Sequence, residues 1–184
     1  EFSQKTGIAL KRIEQLILSM LKIARLDTGN ILFDRRACYV QELVKNAISE
    51  LTTRATQEKK QIIVNGTSNQ AIMCDMDWTS EAIGNLVKNA LDHTEIGGIV
   101  KITWESTPTM IRILVSDNGS GIAPEDIHHI FKRFYRSKYS LNTPGIGLGL
   151  PLAKSIIEGQ GGLISVQSVL HEGTTFSVSF LTKS

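Results

Sequence analysis

The sequence predicts an α+β fold, a two-layer α/β sandwich in which a mixed sheet packs under three helices, with an amphipathic helix ahead of it. Three observations carry this. Strand-like runs come as hairpins, 99–107 with 110–115 and 163–169 with 174–181, turning at Thr107-Pro108-Thr109 and at His171-Glu172-Gly173. Helix-period stretches separate the strand groups instead of alternating singly with strands, which argues against a doubly wound parallel sheet. The 184 residues, 41% hydrophobic and 21% charged, suffice for one globular domain with an appendage.

In chain order, residues 8–26 place Ile13, Leu16, Ile17, Met20, Leu21 and Ala24 at three- and four-residue steps, one face of a helix that Gly29 ends. A single amphipathic helix cannot bury its stripe alone, so the sequence predicts a partner helix, from a second copy or from chain outside this sequence. Folding onto its own domain is the competing reading. A short extended piece at 31–33 leads to a second helix over 40–57. Residues 61–64 and 71–74 read as short strands, with turn chemistry at Asn65-Gly66 and Ser68-Asn69. Asp77 is expected to cap a third helix running to Thr94. Pro124-Glu125-Asp126 reads as the start of a short helix carrying His128 and His129, and a last helix is expected over 147–158, with Pro151 in its first turn.

A net charge of +2 gives no argument for nucleic acid, and none is expected as a partner. Cys38 and Cys74 have no metal-ligand spacing and read as small apolar core residues in a reducing compartment. No apolar run is long enough to span a bilayer and no signal peptide is visible, so a cytoplasmic chain is expected, tied to a membrane only through segments upstream of this sequence.

Chemistry concentrates in three places. On the third helix Glu81, Asn85 and Asn89 lie four apart, with Asp92 and His93 one turn further, so all five can share a stripe beside Ala82, Ile83, Leu86, Val87 and Ala90. Such oxygen ligands suit Mg²⁺, which keeps waters and bridges phosphates to one or two protein groups; a solvated helix face is equally compatible with this helix taken alone. Next, Asp117-Asn118-Gly119-Ser120-Gly121-Ile122 follows an apolar strand, where a half-buried carboxylate can accept from an exocyclic amine such as that of adenine. Last, Gly145-Ile146-Gly147-Leu148-Gly149-Leu150 runs into a helix N-terminus, where free N–H groups favour phosphate. It is neither a Walker A loop nor a dinucleotide fingerprint. Between the glycine clusters, Lys132, Arg133, Arg136 and Lys138 suggest a hinged basic lid.

Together these segments resemble the GHKL ATPase superfamily: residues 81–94 its N box, 117–122 its G1 box and 145–150 its G2 box. Ile130-Phe131-Lys132-Arg133-Phe134-Tyr135-Arg136 resembles the F box of two-component sensor histidine kinases, and residues 8–29 resemble the second helix of their dimerisation and phosphotransfer hairpin. The resemblance implies a partial dimerisation helix over 1–30 and an ATP-binding catalytic domain over 31–184. It implies ATP and Mg²⁺ as ligands, with Asn89 on the metal and Asn85 supporting the phosphates. Asp117 would hold the adenine amine, Gly119, Gly121 and Ile122 would shape the base pocket, and Thr174 would support Asp117. His93 falls near the nucleotide, Tyr135, Arg136 and Lys138 would face the phosphates, and Gly145, Gly147, Leu148, Gly149 and Leu150 would run along them. Glu81 is the nearest candidate for ordering a metal-bound water. The implied partners are a histidine-bearing helix of the parent protein, a response regulator and, in the intact kinase, a second copy.

Two departures stand against the pattern. Asp92 occupies a place usually basic, and no histidine followed by an acid and a nearby proline is present. Two other readings therefore stay open, a GHKL ATPase of the gyrase or HSP90 type and a nucleotide-binding module without phosphotransfer. His128 and His129, adjacent on the chain, read as surface residues, and Phe131 and Phe134 as lid anchors, core or docking faces.

Overall fold

The computed structural model describes residues 2–67, 70–140, 143 and 145–182. Helix α1 (Phe2–Asp27) leads to strand β1 (Arg36–Tyr39), helices α2 (Val40–Ile48) and α3 (Leu51–Gln57), strands β2 (Gln61–Gly66) and β3 (Ala71–Cys74), and helix α4 (Met76–Asp92). Strands β4 (Ile99–Ser106) and β5 (Met110–Asp117) follow, then a long irregular segment, helix α5 (Gly149–Gly159) and strands β6 (Leu163–Val169) and β7 (Gly173–Leu181). The main sheet has the order β2-β4-β5-β7-β6, with β2 parallel to β4 and every other pair antiparallel. Its inward faces contribute Ile102, Ile113, Phe176 and Val178 to a core closed by Leu43, Ile83, Leu86 and Ile156 of the overlying helices. This is the mixed sheet under helices that the hairpins predict. Among the described residues no helix is long and apolar enough to cross a membrane.

Several local expectations are corrected. The helix expected over 40–57 is two, because Ser49 turns back on Asn46 through both its backbone N–H and its hydroxyl, a local bond that competes with the helix ladder. The N-cap of α4 is Asp75, not Asp77: its carboxylate accepts from the Trp78 N–H at 3.2 Å and also from the Asp34 N–H at 2.9 Å. Asp77 sits in the first turn instead, where a negative charge suits the helix dipole. Strand β1, unforeseen, pairs antiparallel with β3 and buries only Cys38 of its four residues, so it carries no alternation to read. Asn65-Gly66 is no turn but the end of β2, where the Trp104 ring lies over Gly66. Ser68-Asn69 lies outside the described residues.

The short helix expected from Pro124 is a succession of turns, with three-residue bonds from the His129 N–H to Asp126 and from the Lys132 N–H to His129. Asp126 turns its carboxylate inward to hydroxyls further along the chain instead of supporting a helix. His128 is exposed, while the His129 ring packs on Tyr135 at 5.4 Å. Phe131 joins the core edge-on to Phe176, whereas Phe134, in a left-handed conformation, is 52% exposed.

Helix α1 satisfies parts of both readings made for it. Ile23 is buried and Leu16 and Leu26 pack on the core, yet Ile13, Ile17, Met20 and Leu21 are exposed. Cys38 and Cys74 are both buried and free, and burial pushes the Cys74 thiol up to about 12.

Candidate nucleotide cleft

A cleft of about 1120 Å³ opens between α4, the ends of β5 and β7, the irregular segment and the start of α5. Helix α4 packs its apolar face of Ala82, Ile83, Leu86, Val87 and Ala90 into the core, which turns Glu81, Asn85, Asn89, Asp92 and His93 onto the cleft wall. Asn85 is half-buried, and its Nδ2 is fully buried without a hydrogen-bond partner among the described residues. A buried amide donor left unpaired is costly, so this group is set for a ligand that the protein alone does not supply. The Glu81 carboxylate takes Lys22 of α1 at 2.7 Å, and the Asp92 carboxylate takes Arg54 of α3 at 2.5 Å. Burial, together with nearby Arg136, pushes the His93 imidazole below its ordinary value, with Asp92 opposing. Its carbonyl accepts from the Ser120 N–H at 3.1 Å, joining α4 to the loop after β5.

Asp117 ends β5 directly across from Thr174 on β7. Burial raises its carboxyl above the ordinary range, opposed by the Gly119 N–H at 2.9 Å and the Thr174 backbone. Gly121 must be glycine for the fold: its φ is +67°, and a Cβ there would stand 2.0 Å from the Val169 carbonyl oxygen. Ser168, which no sequence signal singles out, ties this corner together by accepting from the Ile122 N–H at 2.8 Å, donating to the Gly173 carbonyl and meeting the Thr174 hydroxyl at 2.8 Å. Only the folding of β6 beside β7 brings it there.

Across the cleft, Gly145, Gly147, Leu148, Gly149 and Leu150 line the wall leading into α5. Gly149 opens the helix, and a Cβ on it would meet nothing within 4 Å. Of the residues expected on the lid, Tyr135 and Arg136 line the cleft but are engaged within their own segment. The Tyr135 and Ser137 hydroxyls donate to buried Asp126, which they hold below the ordinary carboxylate range, and the Arg136 guanidinium donates to the Ser140 and Thr143 carbonyls. Lys138 is exposed and does not line the cleft; neither does Gly119, which packs against His93. The hinged-lid expectation falls partly on 141, 142 and 144, outside the described residues. Helix α1 adds Arg12, Leu16 and Lys22 to the cleft lining, a contribution that no sequence signal marks.

Residues 74–184 match a family model described as the histidine kinase-, DNA gyrase B- and HSP90-like ATPase. The sensor histidine kinase RppB of Synechocystis is 34% identical over 175 residues, covering 91% of this chain and 38% of the relative. The sensor-like histidine kinase SenX3 of Mycobacterium tuberculosis is 30% identical over 180 residues, covering 97% of this chain and 44% of its own length. The chain thus spans well under half of each of these relatives. Among solved structures, full-length ShkA in complex with AMPPNP shares the fold with a TM-score of 0.83 at 23% identity, over 94% of this chain and 36% of that one. The nucleotide-free catalytic domain of histidine kinase ThkA matches with a TM-score of 0.70 at 26% identity, over 80% of this chain and 95% of that domain.

Proposed function

Because the chain belongs to the histidine kinase-, DNA gyrase B- and HSP90-like ATPase family, we propose that it is the ATP-binding catalytic part of a sensor histidine kinase, binding Mg-ATP in the cleft and presenting the γ-phosphoryl to a histidine on a dimerisation helix. The observation that carries this is the α4 stripe, Asn89 with the unpartnered Asn85 amide, facing the N-terminus of α5 across one cleft. Asn89 offers a hard oxygen ligand and Asn85 a free donor, so both fit a metal–polyphosphate group. Asn89 would hold Mg²⁺, which when bound would supply neutralisation of phosphate charge.

The chain's own residues position the nucleotide. Asp117, ionised, accepts from the adenine amine, with Thr174 and Gly119 fixing its carboxylate. Gly121 and Ile122 leave room for the ring, and burial favours the neutral form of His93 beside it. The backbone from Gly145 to Leu150 follows the phosphates to the α5 N-terminus, where the Gly149 and Leu150 N–H groups are unused by the helix. Arg136 and Tyr135 close the lid side, and Asp126 holds their segment in place. In the transfer, a histidine ring nitrogen bonds to the γ-phosphorus as the bond to the β–γ bridging oxygen breaks and ADP leaves; positioning and charge neutralisation are the protein's share. Glu81 is engaged by Lys22, so ordering a water would require that ion pair to open.

Residues 1–30 supply a dimerisation helix whose exposed Ile13, Ile17, Met20 and Leu21 await a mate, and 31–184 the catalytic domain. A response regulator is the downstream acceptor, and a cytoplasmic site of action follows from the use of ATP. One assay tests this: labelled Mg-ATP is given to the chain with a histidine-bearing hairpin helix in trans. Label on histidine is the expected result; free phosphate without label would mean an ATPase, and bound nucleotide with neither would mean a binding module.

A further inference from the structure

We propose that Arg54 is a positioning residue of the cleft: its ion pair with Asp92 cancels a carboxylate on the cleft wall and thereby makes the site selective for a polyphosphate over an uncharged nucleoside. This rests on the nucleotide reading above. Asp92 lies three residues past Asn89, about 4.5 Å further along the α4 axis, and lines the same cleft. Its side chain is only 9% exposed. An uncompensated negative charge there would face the phosphates with little water between them.

Arg54 does not itself line the cleft; it reaches Asp92 from behind, off α3. Nη2 stands 2.5 Å from Asp92 Oδ1, and Nε donates to Glu58 Oε1 at 2.7 Å. Lys60 completes the cluster, its Nζ 2.7 Å from Glu58 Oε2 and 2.7 Å from the Leu91 carbonyl at the end of α4. Two acids and two bases sum to zero, and the guanidinium is fixed from two sides, so its charge stays on Asp92 and does not wander to solvent. The Leu91 carbonyl, in the last turn of α4, takes the Lys60 cation as the helix dipole prefers. Charge on the wall is therefore set by residues of α3 and the chain leading into β2, elements outside the cleft.

The experiment is calorimetric titration of the chain and of Arg54→Gln with ATP, ADP and adenosine, all with Mg²⁺ at moderate salt. Arg54→Gln should weaken ATP by about tenfold, ADP by less and adenosine by under about twofold, since only a charged ligand feels the uncovered carboxylate. Arg54→Gln with Asp92→Asn removes both charges and should return ATP affinity to within about twofold of the unaltered chain. Equal loss for ATP and adenosine would reveal a purely structural role and overturn the inference, as would a double variant that stays weak. Asp92→Asn alone keeps the test open if Arg54→Gln does not fold: it leaves Arg54 uncancelled, so ATP should tighten severalfold with adenosine unchanged, and an absence of that charge dependence counts against the proposal. An unaltered chain that binds none of these ligands would overturn the nucleotide reading and this inference with it; an unaltered chain that binds ATP while the variants miss the charge pattern overturns this inference alone.

Discussion

Helix α4 and the described part of the segment 124–148 face each other across one cleft, and they hold their polar groups by opposite means. On α4, seven buried side chains anchor a regular helix, and the polar stripe is displayed as a consequence, with one amide left over. On the other side, turns are held by side chains, Asp126 taking two hydroxyls and Arg136 two carbonyls. A wall made by core packing moves only with the core. A wall made by a few polar contacts can be released by changing one of them. That division suits the proposed Mg-ATP site, in which α4 would hold the metal and the opposite wall would admit and release the nucleotide.

The contrast is broken most severely at Gly121. Replacing it by Ala puts a Cβ into the Val169 carbonyl at a left-handed φ and should cost at least about 3 kcal/mol in urea unfolding. Gly149→Ala is the counterpart: with nothing within 4 Å of a new Cβ at the start of α5, stability should hold or rise by a few tenths of a kcal/mol, yet ATP affinity should fall, because only a ligand needs that backbone bare. On the lid side, Asp126→Ala should speed tryptic cleavage at Lys132 to Lys138 by about tenfold while leaving the unfolding midpoint nearly unchanged.

Acid sharpens the comparison next. Asp117 titrates above the ordinary carboxylate range in the folded chain, which then binds more protons than the unfolded one, so its contribution to stability is present at low pH and lost as pH rises through the raised value. An adenine amine needs the ionised form, so ATP affinity should run the other way, falling about tenfold for each unit of pH below that value, and Asp117→Asn should abolish the slope. His93 adds an opposite stability trend: its imidazole is held neutral, so its contribution is present above the ordinary histidine value and lost as pH falls. The smallest effect belongs to Lys22→Gln. The pair with Glu81 is partly exposed to water, and removing it should shift stability by no more than about 0.5 kcal/mol.

How much of this was legible in the sequence follows the same division. The hairpins β4–β5 and β6–β7 and the stripe of α4 are periodic, and period is what a sequence displays. The first-turn position of Pro151 in α5 was legible for the same reason. Strand β1 was not, since one buried residue in four leaves no pattern. The turns after Pro124 resembled a helix start because Pro, Glu and Asp do favour one; the hydroxyls of Tyr135 and Ser137, nine and eleven residues on, decide otherwise. Ser168 and Arg54 support the cleft wall from outside it, 46 and 38 residues from Ile122 and Asp92, through tertiary pairing that carried no local signal. Asp92 stood out in the sequence as an acid where a base is usual, and the fold supplies the base from α3.

The proposed role of Asn89, on the packed wall, is to hold the metal of a Mg-ATP complex. Calorimetric titration of ATP into the chain and into Asn89→Ala, each with Mg²⁺ and with a chelator, tests it most directly. Binding by the unaltered chain that disappears with the chelator, and loss of that Mg²⁺-dependent binding in Asn89→Ala with its unfolding midpoint unchanged, is the result expected. Equal affinity of the two chains for Mg-ATP would contradict it.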